Sequence, residues 1–170
     1  GDPVIPDLGR KTKAFCYYSL PDGRIIGMWK SRLSGVSNDG GKTWKQLTEK
    51  EGLPKGELGR MGLAIASGKP GIIYALVEAK KNALYKSEDG GFSWKKINDG
   101  NDIGDRPFYY SDIFVDPENE NRVYSIFTNV NVSEDGGRSF SQLMPAYYVD
   151  NGVHPDHHAW WIHPTDGQFM

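Results

Sequence analysis

The sequence predicts an all-β chain of β-propeller blades, each a four-stranded antiparallel meander, with about three complete blades and the start of a fourth. Three observations predict it. One turn motif recurs without gaps, as SNDGGKTW at 37–44, SEDGGFSW at 87–94 and SEDGGRSF at 133–140. Its aspartates Asp39, Asp89 and Asp135 fall 50 and 46 residues apart, long enough for about four short strands with their turns. Finally, 21 glycines and 10 prolines punctuate the 170 residues, and long helical patterns are few.

The motif has a local physical reason. A short carboxylate accepts backbone N–H bonds, and the following Gly-Gly reaches positive φ cheaply, so the segment closes a tight turn. The next Ser or Thr ties it further, and Trp44, Trp94 or Phe140 then opens the following strand as an apolar anchor. Asp39, Asp89 and Asp135 therefore read as structural.

Strands fall into place between these turns. In the first unit they are 14–19, a turn at Pro21-Asp22-Gly23, 24–29, 34–37 and 43–47. The second has 60–67, a Gly-Lys-Pro-Gly turn, 72–78, 83–87 and 93–98. In the third they are 110–115, a turn from Asp116 to Asn119, 122–128, 130–133 and 139–143. A fourth unit opens with 158–163 and a turn from Pro164 to Gly167. The blades thus span approximately 12–48, 59–98 and 109–144, with a partial blade at 157–170, in one propeller segment covering 1–170. An open stack of this kind leaves broad apolar faces and unpaired edges. The chain is therefore expected to be part of a larger propeller, with a half-propeller completed by a second copy as the alternative. Gly1-Asp2-Pro3 reads as an internal or processed start.

Composition excludes several classes. A net charge of −2 argues against a nucleic-acid or anionic-membrane surface, and no apolar run approaches the roughly 20 residues of a bilayer-spanning helix. The lone Cys16, inside the apolar run FCYY, excludes an internal disulfide and a thiolate zinc cluster and reads as a packed core thiol. No cofactor is expected.

Topology locates the candidate site. In a meander A-B-C-D the turns alternate between two ends, so the DGG turns joining C to D share an end with the A–B turns. The D-to-A crossovers lie at the other end, beside the innermost strand and the central channel. Here those crossovers, 48–59, 99–109 and 144–157, are long and chemically rich. The first carries Glu51 and Glu57 and leads into Arg60; the second carries Asp99, Asp102, Asp105, Arg106 and Tyr109 and leads into Tyr110. The third carries Tyr147, Tyr148, Asp150, His154, Asp156 and His157 and leads into His158. Convergent carboxylates, imidazoles, arginines and aromatics suit a polar ligand, carbohydrate being a natural one, and Arg60, Arg106, Tyr109, Tyr110, His154, His157 and His158 are the binding candidates. Arg106 fits equally a packed corner paired with Asp102 or Asp105. The run HPDHH offers His154, Asp156 and His157 as metal ligands, yet its spacing matches no established metal signature, and neighbours on a strand point to opposite faces. Lys80-Lys81-Asn82 reads as a solvated hairpin, and His163 as a surface residue.

The turn S-x-D-G-G-x-S/T-W/F resembles the Asp-box of the bacterial neuraminidase repeat, shared by sialidases, xyloglucanase-like glycoside hydrolases and sortilin-type VPS10 propellers. LGRMGLA at 58–64, IYALVE at 73–78, LYKS at 84–87, RPFYY at 106–110 and HPDHHAWWI at 154–162 resemble one group within it. That group is the long secreted bacterial proteins described as BNR-repeat glycosyl hydrolases or VPS10-like proteins. The likeness covers residues 25–165, and the family chains are several times longer. It implies a secreted or periplasmic location and a glycoside-hydrolase-like propeller that acts on or binds carbohydrate. Hydrolysis would use two opposed carboxylates from different blades, here Asp102 or Asp105 with Asp150 or Asp156. The alternatives it leaves open are sortilin-like peptide or protein binding and a purely structural module.

Overall fold

A computed structural model describes residues 15–29, 34–56, 58–104, 111–144, 154–155, 157–167 and 170. Among them are twelve strands and no α-helix. The first sheet holds β1 (Phe15–Ser19), β2 (Ile25–Trp29), β3 (Ser34–Ser37) and β4 (Lys45–Leu47). β5 (Met61–Ile65), β6 (Ile73–Val77), β7 (Ala83–Ser87) and β8 (Lys95–Asn98) form the second. β9 (Asp112–Val115), β10 (Val123–Ile126), β11 (Val130–Ser133) and β12 (Ser141–Met144) form the third. Each sheet is a simple meander in chain order, antiparallel throughout. The strands are blades of a β-propeller, and β5 and β9 run side by side as innermost strands.

The ends of the blades sort as the meander requires. Gly90 donates its N–H to the Gly71 carbonyl at 2.8 Å, and Gly136 donates to Asn121 at 2.8 Å, so the second and third DGG turns are each tied to the A–B turn of their own blade. At the other end the start of β5 meets the B–C turn, where Gly59 N–H donates to Glu78 O and Glu78 N–H to Arg60 O, both at 2.9 Å.

β6 shows how the core is divided. All five of its residues are buried, because a middle strand has a neighbouring blade on each face. By the two-residue period, Ile73, Ala75 and Val77 enter a cluster with Ile26, Val36 and Leu47 of the first blade. Tyr74 and Leu76 point the other way, to Ile113 and Val123 of the third. Each such aliphatic side chain contributes about 1.5–3 kcal/mol on burial, so the seams between blades, rather than the hairpins, carry the apolar stabilisation.

The fourth unit differs from expectation. Residues 158–163 form no strand; the only pairing there, among the described residues, is a His163–Asp166 bridge across the Pro164 turn. The segment instead lies against the third blade: Trp160 packs on Tyr124 with ring centroids 5.6 Å apart, and Gly167 N–H donates to the Glu118 carboxylate at 3.2 Å. His163 is partly exposed, with Nδ1 accepting the Thr165 N–H at 3.3 Å.

Candidate functional site

The repeated turns are hubs of identical wiring. Ser37 Oγ donates to Asp39 Oδ1 at 2.8 Å and accepts the Gly41 N–H at 2.8 Å, while Thr43 donates its N–H to Oδ1 at 2.9 Å and its hydroxyl to Oδ2 at 2.6 Å. Ser87, Asp89, Gly91 and Ser93 repeat these four bonds, as do Ser133, Asp135, Gly137 and Ser139. Both carboxylate oxygens are turned onto the loop that carries them. The Thr43 hydroxyl and N–H bonds, with Ser37, hold Asp39 down at about 2, and Ser139 and Ser133 do the same for Asp135, also at about 2. Burial pushes Asp89 up, but its bonds from Ser93, Ser87 and Phe92 outweigh that and leave it below the usual range. Trp44 and Trp94 close the turns by donating Nε1–H to the Gly41 and Gly91 carbonyls, both at 3.0 Å.

Two crossovers carry 3-10 turns that lie on the next blade, and the Glu51 and Asp99 carboxylates on them have local partners. In the first, Thr48 caps Glu49–Glu51 reciprocally: Thr48 Oγ1 accepts the Lys50 N–H at 3.2 Å, and the Glu51 carboxylate accepts the Thr48 N–H at 2.9 Å. The Glu51 carbonyl then accepts the Trp94 N–H at 2.7 Å, pinning the crossover beside the second DGG turn rather than at the channel mouth. In the second, Asn101–Ile103 docks on the third blade. Ser125 Oγ donates to the Ile103 carbonyl at 2.7 Å, and Asn131 Nδ2 donates to the Asp102 carbonyl at 2.8 Å. Ser125 and Asn131 are register partners on β10 and β11, so two neighbouring side chains clamp two successive carbonyls. Asp102 itself is half-buried, and Asp99 is engaged by Lys81 and Lys96.

Polar chemistry does gather at the crossover end of the two innermost strands. Arg60, exposed at the entry to β5, brings Nη2 to 3.9 Å from Asp112 Oδ2 at the entry to β9. The Glu78 carboxylate accepts the Arg60 N–H at 2.8 Å and fixes the backbone from which that guanidinium projects. Asp112 Oδ1 accepts the Ile113 N–H at 3.0 Å. Burial pushes Asp112 above the usual carboxylate range against the opposing pull of that N–H and of Arg60. Gly62 makes room for it: a Cβ at Gly62 would lie 2.8 Å from Asp112 Oδ1.

Glu78 and Asp112 were not among the sequence candidates. The register holds the signal for Asp112, since Gly62 pairs with Leu76 as Asp112 pairs with Ile126, so the two are equivalent positions in successive blades. A glycine where the next blade has an aspartate marks space left for a neighbour. Of the other candidates, Asp105, Arg106, Tyr109, Tyr110, Asp150 and Asp156 lie outside the described residues. His154 and His158 are exposed and His157 is half-buried. Among the described residues no group of three His, Cys, Asp or Glu side chains is placed to hold a metal ion, and Asp156, named in that expectation, is not among those residues.

No family profile matches the sequence, and no curated protein matches it. Solved structures do. YCF48 from Cyanidioschyzon merolae is similar at 15% identity and a TM-score of 0.57, over 82% of this chain and 42% of that one. YCF48 bound to D1 peptide is similar at 16% identity and a TM-score of 0.50, over 84% and 47% of the respective chains. An ancestral GH74 enzyme aligns over 91% of this chain and 20% of its own at 14% identity and a TM-score of 0.57. The GH74 enzyme of Niastella koreensis aligns over 82% and 22% at 16% identity and a TM-score of 0.53. The chain thus spans less than half of each of these proteins, and what it shares with them is the β-propeller fold.

Proposed function

We propose that this chain is a segment of a glycoside-hydrolase-like Asp-box propeller, exported from the cell, that binds carbohydrate at the channel mouth formed by the inter-blade crossovers. One observation carries the reading: Arg60, Glu78 and Asp112, from two blades, converge where the innermost strands begin. A guanidinium beside a half-buried carboxylate offers donors and acceptors in a fixed pair, which is what recognition of sugar hydroxyls needs. The GH74 enzymes among the similar structures support it. A second reading, peptide binding at the same mouth, is favoured by the similar YCF48 seen with a peptide bound.

Titration of the full chain with xyloglucan oligosaccharides and with a peptide library, followed by calorimetry, tests both. Carbohydrate binding lost in Arg60→Gln and in Asp112→Asn supports the first reading, peptide binding lost in the same variants supports the second, and affinity for neither overturns both. Hydrolysis is tested by release of reducing ends. Double alanine substitutions pairing Asp102 or Asp105 with Asp150 or Asp156 are expected to abolish it, and full turnover in them removes those carboxylates from the mechanism.

A further inference from the structure

A second site lies outward from the channel mouth, over β7 and β8 of the middle blade. A cavity of about 210 Å³ opens there between the first crossover and the B–C turn, and four lysines line it: Lys55, Lys80, Lys81 and Lys96. One carboxylate opposes them. Asp99 takes Lys81 at 3.1 Å and Lys96 at 2.9 Å, and both bonds hold it below the usual carboxylate range. Lys55 and Lys80 pair with no carboxylate among the described residues. Tyr85, largely buried at 6% exposure, sits on β7 at the cavity wall and feels the charges of Lys96 and Asp99. Four lysines and one carboxylate around one cavity, in a chain whose net charge is −2, concentrate positive potential at a single concave spot.

We propose that this cavity is a binding site for a phosphoryl group, either free phosphate or the monoester of a small molecule. The donors are compact point charges, which suit a tetrahedral dianion, whereas a planar carboxylate is better matched by a guanidinium fork. The charge of about −1.5 to −2 on a phosphate monoester at neutral pH offsets roughly half to two-thirds of the excess of four lysines over one aspartate. At about 30 Å³ per water, the volume is large enough for one phosphoryl group. The site is independent of what the channel mouth binds, since it uses neither Arg60 nor Asp112.

The test is titration of the full chain with inorganic phosphate, glucose 6-phosphate, glucose 6-sulfate and glucose, read by backbone amide shifts at Lys55, Lys80, Lys96 and Asp99 and by calorimetry. Binding of phosphate or glucose 6-phosphate, weaker binding of the monoanionic sulfate ester and none of glucose are expected. Equal affinity for phosphate and glucose 6-phosphate assigns the free anion as the ligand, and tighter binding of glucose 6-phosphate assigns the ester. The double variant Lys55→Gln/Lys80→Gln, at exposed positions, is expected to weaken binding about tenfold or more. Asp99→Asn is expected to strengthen it, because Lys81 and Lys96 are released to the ligand. Absence of phosphate and glucose 6-phosphate binding at millimolar concentration overturns the proposal. So do glucose binding as tightly as its phosphate, and Asp99→Asn weakening the interaction in a chain whose amide spectrum shows it folded.

Discussion

Alanine at the first glycine of the repeated turn separates backbone strain from the contact between blades. Gly40 and Gly90 are equivalent, with φ of +75° and +78°. A Cβ at Gly40 meets nothing within 4 Å, whereas at Gly90 it would lie 1.6 Å from Arg24 Nη1. Left-handed backbone costs an L-residue about 1–2 kcal/mol, and the stiffer unfolded chain of alanine returns about 0.4–1 kcal/mol, so Gly40→Ala is expected to cost about 1 kcal/mol. Gly90→Ala carries the same strain and also pushes Arg24 off the Asp89 carbonyl, to which it donates at 2.9 Å. The arginine tip is flexible and keeps Asp22, so the loss is confined to that one bond between blades, about 0.5–1 kcal/mol. Gly90→Ala is therefore expected to cost about 1.5–2 kcal/mol, read as a lower urea midpoint at unchanged slope. In an Arg24→Ala background the Gly90 substitution should cost no more than Gly40→Ala does in the parent, which a double-mutant cycle measures. Equal costs for Gly40→Ala and Gly90→Ala in the parent chain would refute the claim that Arg24 ties the first blade to the second.

Three further outcomes follow from the same geometry. Asp39 and Asp135 are held at about 2, below the ordinary 3.8, so the stability they contribute is complete above about pH 4 and is lost as pH falls through 2; carboxyl-carbon titration by NMR and urea midpoints at pH 5, 3.5 and 2.5 check this. Asp112 is raised, so its contribution is complete below the ordinary 3.8 and is lost as pH rises through the higher folded value. Asp112→Asn keeps an acceptor for Ile113 and should stabilise the chain at pH 7, with the gain vanishing below about pH 4; a destabilised variant at neutral pH contradicts the burial argument. Ser125→Ala leaves the buried Ile103 carbonyl short of its donor and should cost about 1–2 kcal/mol, measured by urea unfolding, and should speed hydrogen exchange in the second crossover.

The blades were legible because everything that marks them is local. Ser, Asp, two glycines and Ser or Thr within seven positions specify the turn, and apolar residues with turn signals on either side specify the strands, to within two or three residues at each end. The reciprocal cap Thr48–Glu51 is equally local, a Thr followed three residues later by Glu, and it accounts for one of the carboxylates on a long crossover. What stayed hidden depends on distance through space. Arg60, Glu78 and Asp112 come from three separate turns or strand ends, and no spacing along the chain relates them. Asp99 shows the same limit: a carboxylate on a long crossover suggests a site acid, while its two lysines, one of them on the hairpin at 80–82, make it the counter-charge of a different cavity. The strand expected at 158–163 failed for another reason, since alternation describes a surface but a ladder needs a second strand.

The Ser–Asp–Ser/Thr wiring inside each DGG turn is the same in all three blades, but the joints between blades are not. Arg24 reaches from the first blade to the Asp89 carbonyl, Tyr74 from the second to the Glu120 carbonyl at 2.9 Å, and Tyr124 of the third packs on Trp160 of the irregular segment beyond it. Every module is thus cut to fit its own successor. The order of neighbouring blades is written in these side-chain contacts rather than in the hairpin they share.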